Sequence, residues 1–359
     1  MRWLGMMQTV LFVALISVMG VMAAANVRGF HKPAQVDVVT GGLAKAFETH
    51  YDEVFPVKQL GVNLWAALDY TVFGEGRPGV VIGTEGWFYT DEEFKVADSS
   101  EADIRANLAF IAKVGRQLQG EGVALVVAVV PAKARIYSEF LAGRQPAAAY
   151  ELLYERVLGK LTSESIPHAD LRGVLTDGKL RDPTYLRTDT HWTPWGAHLA
   201  AAEIASVVKR AGLAAPDRTA FVTREDKMAA HEGDLLSFLP LAPYFAGLLP
   251  PPETIPVMRT EAEGVFSPAG AADLFGDTQL PRVALVGTSY SANALWNFGG
   301  ALRAALGEDI ASYAKEGTGP FRPMTLYLRS EDFRQKPPRL VIWEIPERSL
   351  ISVATGALP

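Results

Sequence analysis

Residues 187–198 read Arg-Thr-Asp-Thr-His-Trp-Thr-Pro-Trp-Gly-Ala-His. The segment places the carboxylate of Asp189 and the imidazole of His191 two residues apart, directly before a predicted helix. Thr193 is suited to cap that helix, and Pro194 is suited to its first position. A segment with so many polar residues, followed by such clear helix-start residues, is unusual for a protein core. We therefore predict that it forms part of a catalytic site that lacks only a nucleophile.

The candidate nucleophile lies further along the chain. Val283–Val286 is an apolar run of strand length, and residues 287–291 follow it with the sequence Gly-Thr-Ser-Tyr-Ser. The glycine permits a tight turn, and a helix after the serine offers free backbone N–H groups to an oxyanion. The expected roles are Ser289 as nucleophile, His191 as its base, and Asp189 as the carboxylate that orients the imidazole.

Apolar runs of strand length alternate with amphipathic segments along most of the chain. Val123–Val130 and Leu340–Ile345 are unbroken apolar runs, which are typical of strands buried on both faces. Val80–Gly83 and Gly86–Tyr89 predict a hairpin. The alternation predicts an α/β fold with a mainly parallel sheet flanked by helices. Ligand sites of such sheets gather at the carboxyl ends of the strands, where Ser289 is expected.

The N-terminus carries a targeting signal. An apolar run from Val10 to Ala25 follows Arg2, and it predicts a signal peptide or signal anchor over residues 1–30. Small residues at the end of the run suit cleavage, whereas the apolar residues before it lengthen the segment and favour an uncleaved anchor. We divide the rest into an N-terminal extension, 31–78, and a catalytic domain, 79–359. Within that domain, the weak pattern of 212–279 is interpreted as an insertion or loop excursion.

Composition excludes several classes of function. Lys and Arg number 34 against 40 Asp and Glu, and no basic block occurs, so no nucleic-acid groove is predicted. The sequence has no cysteine, which excludes disulfides and thiolate chemistry. Neither a P-loop nor a dinucleotide-binding glycine motif is present, and we predict no cofactor. His231, in His-Glu-Gly-Asp, is a minor metal candidate, but no recognised ligand pattern exists and no metal is predicted. The histidines interpreted as structural or surface residues are His31, His50, His168, His198 and His231.

Several segments carry a family resemblance. They are Asp-Thr-His-Trp-Thr-Pro-Trp-Gly-Ala at 189–197, Gly-Thr-Ser-Tyr-Ser at 287–291 and Trp-Glu-Ile-Pro-Glu-Arg at 343–348, with Gly86–Tyr89 and Pro131–Lys133 as earlier blocks. Together they resemble the alginate O-acetyltransferase family, whose members carry an SGNH-hydrolase-like domain. In ordinary SGNH hydrolases the serine comes first; here Asp-x-His comes first, an order typical of the acetyltransferase branch.

The resemblance implies a periplasmic enzyme attached to the inner membrane by its N-terminal segment. Such an enzyme receives acetyl groups from a membrane-bound O-acyltransferase and places them on hydroxyls of an exopolysaccharide such as alginate. Ser289 forms the acetyl-enzyme, and His191 then activates a sugar hydroxyl. Because the chain ends soon after the Trp-Glu-Ile-Pro-Glu-Arg block, it is expected to be the short, membrane-associated type without a carbohydrate-binding module.

Further residues are assigned tentative roles at the substrate. Trp192, Trp195 and Trp296 are candidates for stacking on sugar faces, although aromatic residues near a helix start are more often part of the core. Lys133 and Arg348 follow apolar strands and are expected near the same face, either as substrate contacts or as solvated charges. Asn293 is a candidate oxyanion donor, with a solvent-facing position on the helix as the alternative.

Two other functions remain open at this stage. A carbohydrate acetylesterase would use the same three residues and pass the acetyl group to water, and the difference lies in whether water is excluded from the acetyl-enzyme. A non-catalytic subunit of a polysaccharide-modification complex is the second alternative. The presence of Asp189, His191 and Ser289 together argues against it, since a scaffold has no use for all three.

Overall fold

The computed structural model describes residues 2–27, 29–33, 37–55, 58–263 and 280–351. Its contacts divide the chain into two compact units. The first consists of residues 1–77 with 239–249, and the second of residues 78–238 with 250–359. The division near residue 78 lies close to the domain boundary expected from the sequence. The grouping of 239–249 with the N-terminal unit is not expected from the sequence.

The α-helices among the described residues of the N-terminal unit are α1 (Arg2–Val27), α2 (Gly42–Val54) and α3 (Lys58–Leu68). Within α1, the stretch Met6–Ala24 has 19 residues and a mean hydropathy of 2.1. By length and composition it can cross a membrane, since a spanning helix needs about 20 apolar residues. Its side chains are mostly exposed, as expected for a helix that does not belong to a protein core.

The second unit is built on a five-stranded parallel sheet. Its strands are β3 (Ala124–Val130), β4 (His168–Asp170), β7 (Val283–Val286), β8 (Ile310–Ser312) and β9 (Leu340–Pro346), in the order β4-β3-β9-β7-β8. A separate hairpin pairs β1 (Val80–Ile82) with β2 (Phe88–Thr90). The predicted hairpin, the parallel sheet and its two long buried strands are therefore confirmed.

Helices cover both faces of this sheet. The helices of the second unit are α4 (Ser100–Gly120), α5 (Lys133–Ile136), α6 (Leu153–Ser163), α7 (Leu171–Gly178), α8 (Pro194–Arg210), α9 (Ser289–Ala292), α10 (Phe298–Leu306), α11 (Phe321–Leu328) and α12 (Glu331–Gln335). Successive residues of β3 enter different apolar clusters: Val126 packs with α8 and α10, and Val127 packs with α4, α6 and α11. Since successive strand residues point to opposite faces, the two clusters are the two sides of one sheet.

The region expected to be an insertion or loop excursion forms an antiparallel pair of long strands outside the parallel sheet, β5 (Phe221–His231) and β6 (Glu253–Ala262). The separate strand pair is compatible with an insertion. The strands themselves were not predicted because the β5 side chains are exposed or half-buried, so no alternation of apolar and polar residues marks the strand. Residues 264–279, the end of the predicted excursion, lie outside the described residues.

Candidate active site

The nucleophile candidate lies at the carboxyl end of a central strand. After β7 the chain turns through Gly287 and Thr288, and Ser289 is the first residue of α9. The first N–H groups of a helix have no partner within the helix, so the Ser289 N–H is free to bind an oxyanion. A Cβ at Gly287 would lie 2.5 Å from Oε2 of Glu344, so this close approach requires glycine. The predicted role of the glycine in a tight turn is thereby explained.

Glu344, on the neighbouring strand β9, fixes this turn. Its Oε2 accepts hydrogen bonds from the Thr288 backbone N–H at 2.7 Å and from the Ser291 hydroxyl at 2.9 Å. The Thr288 hydroxyl also donates to the carboxylate, at 3.1 Å. Burial raises the pKa of Glu344, and these donors oppose the effect. A carboxylate in the core thus holds the backbone on which Ser289 stands.

The imidazole of His191 connects the other two members of the predicted triad. Its Nε2 lies 2.6 Å from Oγ of Ser289, and its Nδ1 lies 2.7 Å from Oδ1 of Asp189. With the proton on Nδ1, the ring donates to the carboxylate and Nε2 accepts from the serine hydroxyl. The structure therefore brings the three residues together in the order that base-assisted attack by serine requires.

The start of the following helix, α8, fixes the end of the segment that carries Asp189 and His191. The hydroxyl of Thr193 accepts a hydrogen bond from the Gly196 N–H at 3.1 Å, and Pro194 is the first residue of α8. The predicted helix start is confirmed. A rigid helix thus follows the two catalytic candidates directly, which limits how far they can move.

A second histidine reaches the same carboxylate. Nε2 of His231, at the end of β5, lies 2.8 Å from Oδ2 of Asp189, and the Asp234 backbone N–H donates to that oxygen at 3.1 Å. Burial alone would raise the pKa of Asp189, but the hydrogen bonds from His191 and His231 outweigh it and hold that pKa well below its usual range. The bond to Asp189 in turn raises the pKa of His231. The interpretation of His231 as a structural or surface residue was therefore incomplete.

Comparisons with known proteins identify the family of the chain. The family model described as "SGNH hydrolase-like domain, acetyltransferase AlgX" matches residues 80–347. The chain belongs to this family. The match includes all three triad candidates and confirms the SGNH-hydrolase-like fold predicted from the sequence.

Individual relatives extend the likeness over most of the chain. The probable alginate O-acetylase AlgJ of Pseudomonas aeruginosa is 51% identical over 330 residues, covering 90% of this chain and 84% of that protein. The protein of the same name from Azotobacter vinelandii is 47% identical over 339 residues, covering 94% of this chain and 87% of that protein. The solved O-acetyltransferase domain of Pseudomonas putida AlgJ is 41% identical with a TM-score of 0.71, covering 79% of this chain and 95% of that one.

Lys133 supports the catalytic segment of this family member from inside the protein. The side chain is 1% exposed, and Nζ donates to the backbone carbonyls of Phe88 at 2.6 Å, Arg187 at 2.9 Å and Asp189 at 2.9 Å. All three N–H groups of the ammonium are therefore used. The expected role of Lys133 as a substrate contact is corrected, because neither its surface nor a donor is left for substrate. Burial lowers its pKa to about 8.

Arg348 is bonded to residues around the site. Its Nη1 donates to the hydroxyl of Tyr290 at 3.0 Å, and its Nε lies 3.1 Å from Oε2 of Glu92. The Tyr290 hydroxyl donates in turn to the Thr190 carbonyl at 2.6 Å, which joins α9 to the segment of residues 187–191. These contacts involve Nη1 and Nε, and the expected contact of Arg348 with the substrate stays a prediction.

Two of the three tryptophans expected to bind sugars are buried. Trp192 is 0% exposed and packs against Tyr290 and Phe298. Trp296 is 1% exposed and stacks on His191, with 5.3 Å between ring centroids and 22° between the planes. Neither presents a ring face to a sugar, so both expectations are corrected. Trp296 instead covers the catalytic imidazole and limits its rotation.

A cleft of about 660 Å³ lies beside Trp296, which forms part of its lining. Its lining includes Trp296, residues of β6 and the start of α8 with Trp195, whose ring is half-buried. The guanidinium of Arg181 lies 4.6 Å from the centroid of the Trp195 ring.

Asn293 is half-buried, and its Oδ1 accepts from the Leu295 N–H at 2.9 Å, which leaves the amide N–H groups available for the predicted oxyanion contact.

The site also contains an arrangement that resembles metal ligation. One ligand atom from each of Asp189, His191 and Asp234 lies within 4.8 Å of the others. The Asp234 carboxylate already accepts from the Thr190 N–H at 2.9 Å and the Thr190 hydroxyl at 2.6 Å, and both Asp189 oxygens accept from histidines. These contacts fit a hydrogen-bonded pair of carboxylates better than a cation site, since each carboxylate oxygen already has a proton donor.

The sequence did not predict the roles of four residues from the β5–β6 region and β9, which are His231, Asp234, Glu253 and Glu344. Glu253, at the start of β6, accepts from the Arg187 and Thr188 N–H groups, each at 3.0 Å. No spacing in the sequence signals these contacts, because they depend on how the strand pair meets the segment of residues 187–191.

Proposed function

We propose that the chain is an O-acetyltransferase that moves acetyl groups through an acetyl-Ser289 intermediate to hydroxyls of alginate. The single observation that carries this proposal is the 2.6 Å approach of Ser289 Oγ to His191 Nε2, with Asp189 on the opposite ring nitrogen. Membership of the acetyltransferase family supports the acetyl group as cargo. The relatives named as probable alginate O-acetylases support alginate as the acceptor.

The first half of the reaction forms the acetyl-enzyme. Ser289 Oγ attacks the carbonyl carbon of the acetyl donor while its proton passes to Nε2 of His191. The oxyanion of the tetrahedral intermediate is held by the Ser289 N–H and the side-chain amide of Asn293. The intermediate collapses, and the proton on His191 passes to the leaving group. Asp189 stays ionised throughout and stabilises the charged imidazole.

The second half transfers the acetyl group to sugar. A hydroxyl of the polysaccharide gives its proton to His191 and attacks the acetyl carbon, and Ser289 recovers its proton as the ester bond breaks. Base assistance of this kind contributes about 10²–10⁴-fold to the rate. The acceptor occupies the cleft lined by Trp195 and by Trp296, which stacks on His191.

The setting of the reaction is the periplasmic face of the inner membrane. The apolar stretch Met6–Ala24 supports an uncleaved anchor. The acetyl groups come from a membrane-bound O-acyltransferase that passes them across the membrane, so the anchor keeps the chain beside its source. The chain is divided into an N-terminal membrane-proximal part and a catalytic domain from about residue 79 onward, and the separation into two compact units near residue 78 supports this division.

The test uses the purified full chain in detergent with a chromogenic acetyl ester, with and without a mannuronate oligomer. Mass spectrometry of protein and sugar compares it with Ser289→Ala and with Ser237→Ala as a matched surface control. Acetyl on Ser289 and on the oligomer, lost only in Ser289→Ala, is expected. Ester cleavage without acetylated sugar would favour the acetylesterase. Equal behaviour of Ser289→Ala and the unchanged chain would refute the triad and favour the non-catalytic subunit.

A further inference from the structure

An exposed apolar face runs along α3 of the N-terminal unit. Leu60, Leu64 and Leu68 follow one another at intervals of four residues, which places them on one side of the helix. Their exposed fractions are 41%, 54% and 39%, and the neighbouring Trp65 is 65% exposed. The π-helical turn that follows, Asp69–Phe73, extends the face with two further exposed apolar side chains. Exposed apolar surface of this continuity marks an interaction site.

A side of α3 next to the leucine face is already occupied within the same unit. The side chain of Asn63 is fully buried and donates to the Pro240 carbonyl, and Gln59 donates to the Ala242 carbonyl at 3.1 Å. Both acceptors belong to the segment 239–249 of the same unit. Turning the leucine face inward would break these bonds, and the described residues leave that face largely exposed.

We propose that this face lies on the surface of the membrane that α1 enters, so that the chain contacts the bilayer at two places. The inference rests on the proposed membrane attachment of α1. Both helices belong to one compact unit, and α1 is the segment long and apolar enough to span. Insertion of α1 would therefore bring α3 close to the lipid surface.

The chemistry of the face favours lipid over a protein partner. Protein interfaces carry about one hydrogen bond per 100–200 Å² and a polar rim. The three leucines of the face carry no polar side-chain atom, and the indole nitrogen of the neighbouring Trp65 suits the level where the hydrocarbon meets the polar headgroups, at which tryptophan is enriched. Lys58 is the only charged residue of α3, so burial of this side in the interface desolvates little charge.

The experiment exploits the absence of cysteine from the sequence. Three single-cysteine variants of the full chain, Val13→Cys, Leu64→Cys and Leu180→Cys, carry an environment-sensitive fluorophore. They are reconstituted in vesicles of phosphatidylethanolamine and phosphatidylglycerol, with or without lipids that bear a quencher on the acyl chain. All three native side chains are exposed, at 55%, 54% and 86%, so substitution disturbs little packing.

We expect quenching at position 64 comparable to that at position 13 and none at position 180, which belongs to the second unit. Quenching at 13 without quenching at 64 would overturn the inference and leave the proposed anchor intact. A label at 64 that is shielded from water but not quenched by lipid would also overturn it, because a protein would then cover the face. Quenching at 64 alone would support the lipid contact and remove the proposal that α1 inserts.

Discussion

His231 and Asp189 are joined by a 2.8 Å contact between an imidazole nitrogen and the carboxylate oxygen that His191 does not use. Asp189 is consequently shared by two histidines, one on each oxygen. The carboxylate is 2% exposed, so almost all of its hydrogen bonding comes from the protein. In this position His231 contacts Asp189, and we propose that it affects the reaction by fixing the carboxylate that orients His191.

The first prediction concerns catalysis. His231→Leu removes a donor to a charged acceptor, an interaction of about 1.5–3 kcal/mol. If that loss appears in the transition state, kcat falls by roughly 10–100-fold. His231→Gln keeps an N–H donor at a similar reach and is expected to retain most activity. Because His231 positions a reacting group rather than binding substrate, KM should stay unchanged in both variants.

Steady-state kinetics with the chromogenic ester measures both constants. His168→Leu is the control, since His168 is half-buried and its ring contacts the Ile166 carbonyl. An equal loss of kcat in His231→Leu and His231→Gln would show that the bulk or shape of the side chain matters at position 231, and not the hydrogen bond that it donates.

The second prediction follows from the raised pKa of His231, whose ordinary value is 6.5. A histidine with a raised pKa in the folded state stabilises the fold fully below pH 6.5, and the stabilisation is lost as the pH rises through the folded-state pKa. Glutamine does not titrate. The free energy of unfolding of the unchanged chain, relative to His231→Gln, should therefore be greatest below pH 6.5 and should decline above it.

Denaturant unfolding across pH 5–9 measures this difference. A difference that stays constant over the whole range would contradict the charged contact between His231 and Asp189.

The third prediction concerns Lys133, which donates to three backbone carbonyls. Lys133→Met keeps similar bulk but leaves those acceptors without the ammonium, at about 1–3 kcal/mol for each buried group left unpaired. We expect a loss of roughly 3 kcal/mol at pH 7, since removal of a buried charge offsets part of the cost. Lys95→Met is the control, because the Lys95 side chain is 65% exposed.

The difference in unfolding free energy between the unchanged chain and Lys133→Met should also depend on pH. Its sign is opposite to that expected for His231→Gln. The pKa of Lys133 is lowered from 10.5 to about 8, so between these values the unfolded chain holds more protons than the folded one. Stability relative to Lys133→Met should therefore rise with pH across this window. Thermal or denaturant unfolding at pH 7.5, 9 and 10 measures it, and a falling difference would contradict burial of the ammonium.

The sequence predicts those parts of the site that depend on local order. Asp189, His191 and the cap at Thr193 lie within a few residues of one another, and Ser289 directly follows an unmistakable buried strand. The sheet was equally predictable, because strands buried on both faces read as continuous apolar runs. These features need no knowledge of how distant segments meet.

The surroundings of the triad were not predictable in this way. Because a lysine is almost never fully buried, Lys133 was expected at the surface after its strand, either as a substrate contact or as a solvated charge. The burial of Trp192 and Trp296 is decided by helices from elsewhere in the chain. His231 reaches Asp189 through β5, a strand whose exposed side chains give no periodic signal.

The last prediction separates the effect of Trp296 on stability from its effect on the orientation of His191. The ring stacks on His191 and meets His231 edge-on, with centroids 5.6 Å apart and planes at 90°. Its indole N–H is buried without an acceptor among the described residues. Trp296→Phe removes this unpaired donor, whose burial costs about 1–3 kcal/mol, and so offsets the loss of ring area. Trp296→Ala instead opens a cavity, at a cost of about 3–5 kcal/mol.

We therefore expect Trp296→Phe to keep near-normal Tm and kcat, whereas Trp296→Ala lowers both, because the imidazole of His191 then loses the surface that limits its rotation. Calorimetry and ester kinetics measure the two quantities, and Trp3→Ala, at an exposed ring of α1, is the control. An equal fall in Tm for the Phe and Ala variants would mean that the indole N–H has an acceptor after all. A fall in Tm with unchanged kcat in Trp296→Ala would show that Asp189 alone is sufficient to orient His191.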